Sequence, residues 1–153
     1  LYLYIFKNYI LMDVVTDEVY SIPKSTLEQV SYEGEGLKNI VLVVEKNNYR
    51  EAEAATLQLI IKAIKLDFTK DLILLKPDKN QKISLSSLIP DYQDILIFGL
   101  KPADLGFFIE YKSYEVLKFE TKRMLISDSL TELNISKQKK GLLWSKLQTM
   151  YLV

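Results

Sequence analysis

The sequence predicts an α/β fold, a three-layer sandwich on a small, mostly parallel central sheet. Three observations predict it. Residues 37–45 (LKNIVLVVE), 71–75 (DLILL) and 94–100 (DILIFGL) are apolar runs of the kind found in strands buried on both faces. Segments of helical character separate them, and the order strand, helix, strand, helix, strand gives parallel pairing through right-handed crossovers. The chain has 153 residues, 48% hydrophobic and 26% charged, which suits one domain with a real core.

The elements follow in order. Residues 1–12 (LYLYIFKNYILM) place Leu3, Phe6 and Ile10 at helical spacing, with aromatics on every side. Such a segment either packs on its own core or docks a partner. It is too short to span a bilayer, and it lacks the basic start and small-residue cleavage site of a signal peptide. Residues 13–22 alternate weakly at Val15, Val19 and Ile22 before Pro23, as a short edge strand would. The expected division is an N-terminal partner-docking segment, residues 1–22, and a single α/β domain, residues 23–153. Ser25 and Glu28 have capping-box spacing, and Glu33-Gly34-Glu35-Gly36 reads as a turn.

A helix is expected at residues 49–65, capped by Asn47 or Asn48, with Glu51 and Glu53 favourable in its first turn. Its apolar set is Ala52, Ala55, Leu59, Ile60, Ala63 and Ile64, widened by Leu57 and Ile61. So wide a stripe means deep burial or a second contact surface, and the three-layer fold favours burial. A turn at 76–80 and a short helix at 84–88, stopped by Pro90, lead into the third strand. The loop from Gly99 to Gly106 then leaves the carboxyl end of a central strand, where α/β folds place their ligands. No catalytic side chain accompanies it, so a structural turn is the better reading. Residues 107–111 and 114–120 read as further strand, and 122–126 as the last strand.

In the closing stretch Ser127 or Asp128 can cap a short helix, and Ser129 with Glu132 makes a capping box. A final helix starts at Asn134 or Ser136. Its stripe is Leu143, Leu147 and Met150, flanked by Leu142, Trp144 and Tyr151. Trp144, the sole tryptophan, either fills a gap between helix and sheet or anchors a partner. Lys137, Lys139 and Lys140 read as a solvated face.

Composition removes much chemistry. Twenty basic residues balance twenty acidic ones, so there is no global field to attract nucleic acid, and strong direct DNA binding is not expected. The chain has no cysteine and no histidine, which excludes disulfides, a Ser-His-Asp triad, a cysteine nucleophile and thiolate zinc sites. No phosphate-binding glycine motif follows a strand. Asp67 with Asp71, and Asp91 with Asp94, are the nearest acid pairs, and neither has calcium-loop spacing. No metal, cofactor or membrane association is expected, and the cytoplasm is the expected compartment.

Ser127, Leu130, Thr131, Glu132 and Leu133, followed after a spacer by Leu143-Trp144, resemble the C-terminal pattern of the psi subunit of bacterial DNA polymerase III. Asp128 stands where that family often has proline. The resemblance implies a uracil-DNA-glycosylase-like (psi-like) fold without glycosylase activity. It implies a non-catalytic accessory subunit of the clamp loader that bridges the loader to other replisome proteins. Its N-terminal segment would join the clamp loader, and a chi-like subunit would be a second partner. The implied partner-binding residues are Leu3, Phe6, Tyr9, Ile10 and Met12, with Trp144, Leu147 and Tyr151. The alternatives are a nucleotide- or DNA-processing enzyme using the loop 99–106, and an interaction domain of another pathway.

Overall fold

A computed structural model describes residues 30–152. The expectations for residues 1–22, the capping box at Ser25 and Glu28, and the division between residues 22 and 23 lie outside the described residues. So do the docking residues Leu3, Phe6, Tyr9, Ile10 and Met12.

Among the described residues six strands form one mixed sheet: β1 (Ser31–Glu33), β2 (Ile40–Val44), β3 (Leu72–Lys76), β4 (Asp94–Phe98), β5 (Val116–Phe119) and β6 (Lys122–Ser127). Their order is β1-β3-β2-β4-β6-β5. The central four run parallel, and the edges β1 and β5 pair antiparallel. Four helices lie among the described residues: α1 (Glu51–Ala63), α2 (Leu85–Leu88), α3 (Leu130–Ile135) and α4 (Lys137–Tyr151).

Alternate strand residues separate two cores, as the two-residue period of a pleated strand requires. Ile40, Leu42, Val44, Leu96 and Phe98 face α1, α3 and α4, meeting Leu57, Ile61, Leu133, Leu143 and Leu147. Val41, Val43, Ile95 and Ile97 face the other way, toward Ile83, Leu85, Tyr92 and Leu105. The first layer is built from three helices. The second rests on α2, the 3₁₀ turn at Pro102–Leu105 and the loops around them.

Two expectations are corrected, and one element is added that the sequence reading did not have. Residues 107–111 form no strand. The Phe107 amide instead bonds the Pro102 carbonyl at 3.0 Å, and the ladder with β6 starts only at Val116. The residue at the start of α1 is Arg50, not Asn47 or Asn48. Its amide bonds the Glu53 carboxylate at 3.2 Å, while the Asn48 side chain turns back to Glu45. The added element is the edge strand Ser31–Glu33, which takes in the first residue of the expected turn. Gly34 follows it at φ 103°, where a Cβ would stand 2.2 Å from the Leu72 carbonyl oxygen, so only glycine lets the chain leave β1 this close to β3.

Candidate functional site

The strand order gives the fold a switch point. From β2 the chain moves to β3 on one side, then returns to β4 on the other. The crevice beyond the carboxyl ends of β2 and β4 is where open α/β sheets hold ligands. Here it is lined by Val44, Glu45, Asn48, Phe98, Gly99 and Ser129, and its free volume is about 10 Å³. That is at or below the space one water molecule needs.

The closure follows from local chemistry. β6 runs beside β4, and the Ser127 carbonyl accepts the Gly99 amide at 3.0 Å. The chain then reverses and starts α3 over the crevice. Ser129 caps that helix by accepting the Glu132 amide at 3.2 Å. Gly99, at φ 77°, lies beneath it, and a Cβ on Gly99 would meet the Ser129 Cβ at 2.7 Å.

The loop that follows is packed by its own residues. Pro102 and Leu105 are buried. Lys82 bonds Asp104 at 2.5 Å and holds its carboxyl below the usual range. Phe107 packs edge-on against Tyr92 and also touches Phe119, whereas Phe108 is 86% exposed.

The open apolar space lies elsewhere, between α1 and α4. Two polar links fix α1 to α3. The Thr131 hydroxyl donates to Glu53 at 3.3 Å, and the Thr56 hydroxyl to Asn134 at 2.6 Å. These join residues three apart on one helix to residues three apart on the other, which sets the helices side by side. Burial raises the Glu53 carboxyl pKa, but hydrogen bonds from its own amide and from Arg50, with the Arg50 charge and Thr131, lower it further, so the net shift is downward. α4 packs against the sheet through Leu143 and Leu147. Between α1 and α4 remains a groove of about 280 Å³. Leu143 and Leu147 line its floor, Trp144 and Lys140 one side, and Thr56, Leu59, Ile60 and Ala63 the other.

A second, polar cavity of about 510 Å³ lies at the opposite end of the sheet. Asp94, 5% exposed, takes both arms of Arg123 at 2.8 and 2.7 Å and the Tyr151 hydroxyl at 2.6 Å. The Arg123 guanidinium also stands over the Tyr151 ring, 5.5 Å from its centre. Burial first, then the Asp94 carboxylate, push the Tyr151 phenol far above its ordinary pKa. This network staples the end of α4 to the start of β4.

The three described residues of the expected partner surface therefore separate. Trp144 is half-buried and borders the groove. Leu147 is fully buried, so it serves the core and the groove floor and is not an exposed anchor. Tyr151 belongs to the Asp94 network. The α1 wall was the missed part. Ala52, Ala55, Leu59 and Ala63 point outward, Leu59 being 69% exposed, while Glu53, Leu57, Ile61 and Ile64 face inward. The overwide apolar stripe was its signal, and the reading of the whole stripe as buried is corrected here.

Asp67, Asp71 and Asp94, three of the four paired acids, have structural partners. Asp71 accepts the Asp67 amide at 2.8 Å and pairs with Lys38, and Asp67 accepts the amides of Thr69 and Lys70. Among the described residues there is no group of three or more His, Cys, Asp or Glu that could hold a metal. Among them, too, no helix is long and apolar enough to cross a membrane. Compared with known proteins, the chain matches no family model and no curated protein.

Proposed function

We propose that the chain is a non-catalytic adaptor, a psi-like accessory subunit of the DNA polymerase III clamp loader that acts in the cytoplasm. The observation that carries the non-catalytic part is the filled switch point. The Gly99–Ser129 contact leaves about 10 Å³ where this kind of sheet would hold a substrate. The open groove between α1 and α4 supports a role in binding other proteins. The resemblance of residues Ser127 to Trp144 supplies the assembly. On this reading Leu3, Phe6, Tyr9, Ile10 and Met12 join the clamp loader, and a chi-like subunit is the second partner.

The test is titration calorimetry of the purified chain against the assembled clamp loader, with and without residues 1–12. Tight binding that disappears on truncation is the expected result. No heat from an intact, folded chain would remove the clamp-loader assignment. The groove would then favour an interaction domain of another pathway.

A further inference from the structure

We propose that the groove between α1 and α4 is the seat of this chain's own residues 1–12, docked there as a short apolar helix. The contact goes beyond the adaptor reading and does not depend on it.

Shape and composition come first. The groove walls run from Thr56 to Ala63 and from Lys140 to Leu147, two turns each. At 1.5 Å per residue that is about 10.5 Å. Leu3, Phe6 and Ile10 stand at i, i+3 and i+7, which is the same two turns. Ten of residues 1–12 are aliphatic or aromatic, and Lys7 is their one charged side chain. The groove matches, since Lys140 is the only charged residue lining it. Covering Ile60, Leu143 and Trp144 with that stripe takes apolar surface of both out of water.

Topology gives reach and direction. Both helices run from the carboxyl end of the sheet to its amino end. α1 follows the end of β2 and leads to β3, and Tyr151 at the end of α4 bonds Asp94 at the start of β4. Thr56 and Lys140 therefore mark the end of the groove nearer the strands' carboxyl ends. The described chain begins at that same end, because Ser31 pairs with Lys76, the last residue of β3. The Lys76 ammonium also stands 5.7 Å from the centre of the Tyr49 ring, just before α1. Between Met12 and Val30 lie residues 13–29, and these 17 residues span up to about 56 Å, ample to round the sheet edge. The short path brings Met12 to the Lys140 end and sends Leu1 toward Ala63 and Leu147.

Charge agrees with that direction. Asp13, Asp17 and Glu18 follow directly on the apolar run, and Lys24 is the only base in residues 13–29. Lys140 is exposed and makes no ion pair among the described residues, whereas Lys139 is held by Asp128 and Glu132. With Met12 at the Lys140 end, the acids fall beside that lysine.

Tethering favours this occupant over the same segment of a second copy. A connection of this length holds the segment at an effective concentration on the order of millimolar, far above a micromolar solution of chains. On the adaptor reading, the two partner surfaces then cover each other in the free chain, and a partner must part them.

Trp144, as the sole tryptophan, reports on the groove directly. The experiment measures acrylamide quenching of its fluorescence in the full chain and in a full-length Leu3→Glu/Phe6→Glu/Ile10→Glu variant, with folding checked by circular dichroism. Charges on the stripe cannot enter an apolar groove, so quenching should rise about twofold or more as the indole loses its cover. A synthetic peptide of residues 1–18, added to the variant, should restore the protection saturably. In the unaltered chain protection should be the same from about 1 to about 100 µM. Lys140→Glu, at an exposed position, should raise quenching in part, and adding Asp13→Lys/Asp17→Lys should bring it back.

Equal quenching of the unaltered chain and the triple variant overturns the proposal. So does protection that grows with chain concentration, which would assign the groove to a second copy. Failure of Asp13→Lys/Asp17→Lys to restore protection to Lys140→Glu overturns the direction and with it the docking. No partner enters these measurements, so they stand or fall apart from the clamp-loader calorimetry.

Discussion

Replacing Gly99 with alanine should destabilise the fold through two separable effects. At φ 77° the new side chain is held in the left-handed region, which costs about 1–2 kcal/mol for an L-residue. Its Cβ also falls 2.7 Å from the Ser129 Cβ and 3.0 Å from the Ser129 Cα, and relieving such overpacking costs about 1–3 kcal/mol. The sum is about 2–5 kcal/mol, or roughly 8–20 °C in Tm for a domain of this size. Ser129→Gly alone should cost only a few tenths of a kcal/mol, because glycine is a tolerable N-cap. In the double variant the Cβ clash is gone while the backbone strain stays, so part of the steric loss should return. Chemical denaturation of all four proteins gives the coupling energy, which should be favourable by about 1 kcal/mol or more. Additive losses, with coupling below about 0.5 kcal/mol, would refute the argument that Ser129 seals the switch point against Gly99.

Other outcomes follow from the same packing. Leu147→Ala should cost about 2–5 kcal/mol in thermal or denaturant unfolding, because the side chain is fully buried. Leu59→Ala, at 69% exposure, should stay within about 0.5 kcal/mol. Glu53 has a folded pKa below its unfolded one, so its stabilisation is complete above about pH 4.3 and is lost as pH falls through the folded value. Glu53→Gln should therefore flatten the acid limb of the stability curve below about pH 5, and an unchanged limb would count against the Arg50 and Thr131 bonds. Tyr151→Phe removes one bond to a buried carboxylate and should cost about 1.5–3 kcal/mol in denaturant unfolding, with the Asp94–Arg123 pair kept.

β2, β3 and β4 were legible because burial on both faces writes them as continuous apolar runs. β1 left no such mark. Its three residues are all exposed, and it belongs to the sheet through backbone pairing with Leu74, Leu75 and Lys76 and through the Glu33–Lys76 ion pair. Residues 107–111 misled for the opposite reason. Their aromatic, β-branched composition suits a strand, yet Phe107 turns inward to Tyr92 while its amide closes the preceding turn. The two caps of the closing stretch, Ser129 and Ser136, were readable because each bonds an amide three residues on. The inward face of α1 was not, since its choice depends on Glu53 meeting Thr131, 78 positions away. The groove went unseen for the same reason. One wall is the outward face of α1, and only tertiary packing decides which apolar side of that helix remains free.

The structure also changes what the C-terminal pattern can be evidence for. Leu130, Leu133 and Leu143 are core, and Ser127 is buried at the end of β6, where its carbonyl takes the Gly99 amide. Thr131 links α3 to α1, and Glu132 supplies the capped amide and holds Lys139. All six therefore have a place in closing the sheet, whatever the chain binds. Trp144 is different, because its half-buried ring borders an open groove. Trp144→Ala therefore divides fold from function. A loss of about 1–2 kcal/mol, below the 3–5 kcal/mol of a fully buried tryptophan, together with lost clamp-loader capture, would make it a binding residue. A loss of 3–5 kcal/mol with capture intact would make the whole pattern a signature of packing alone.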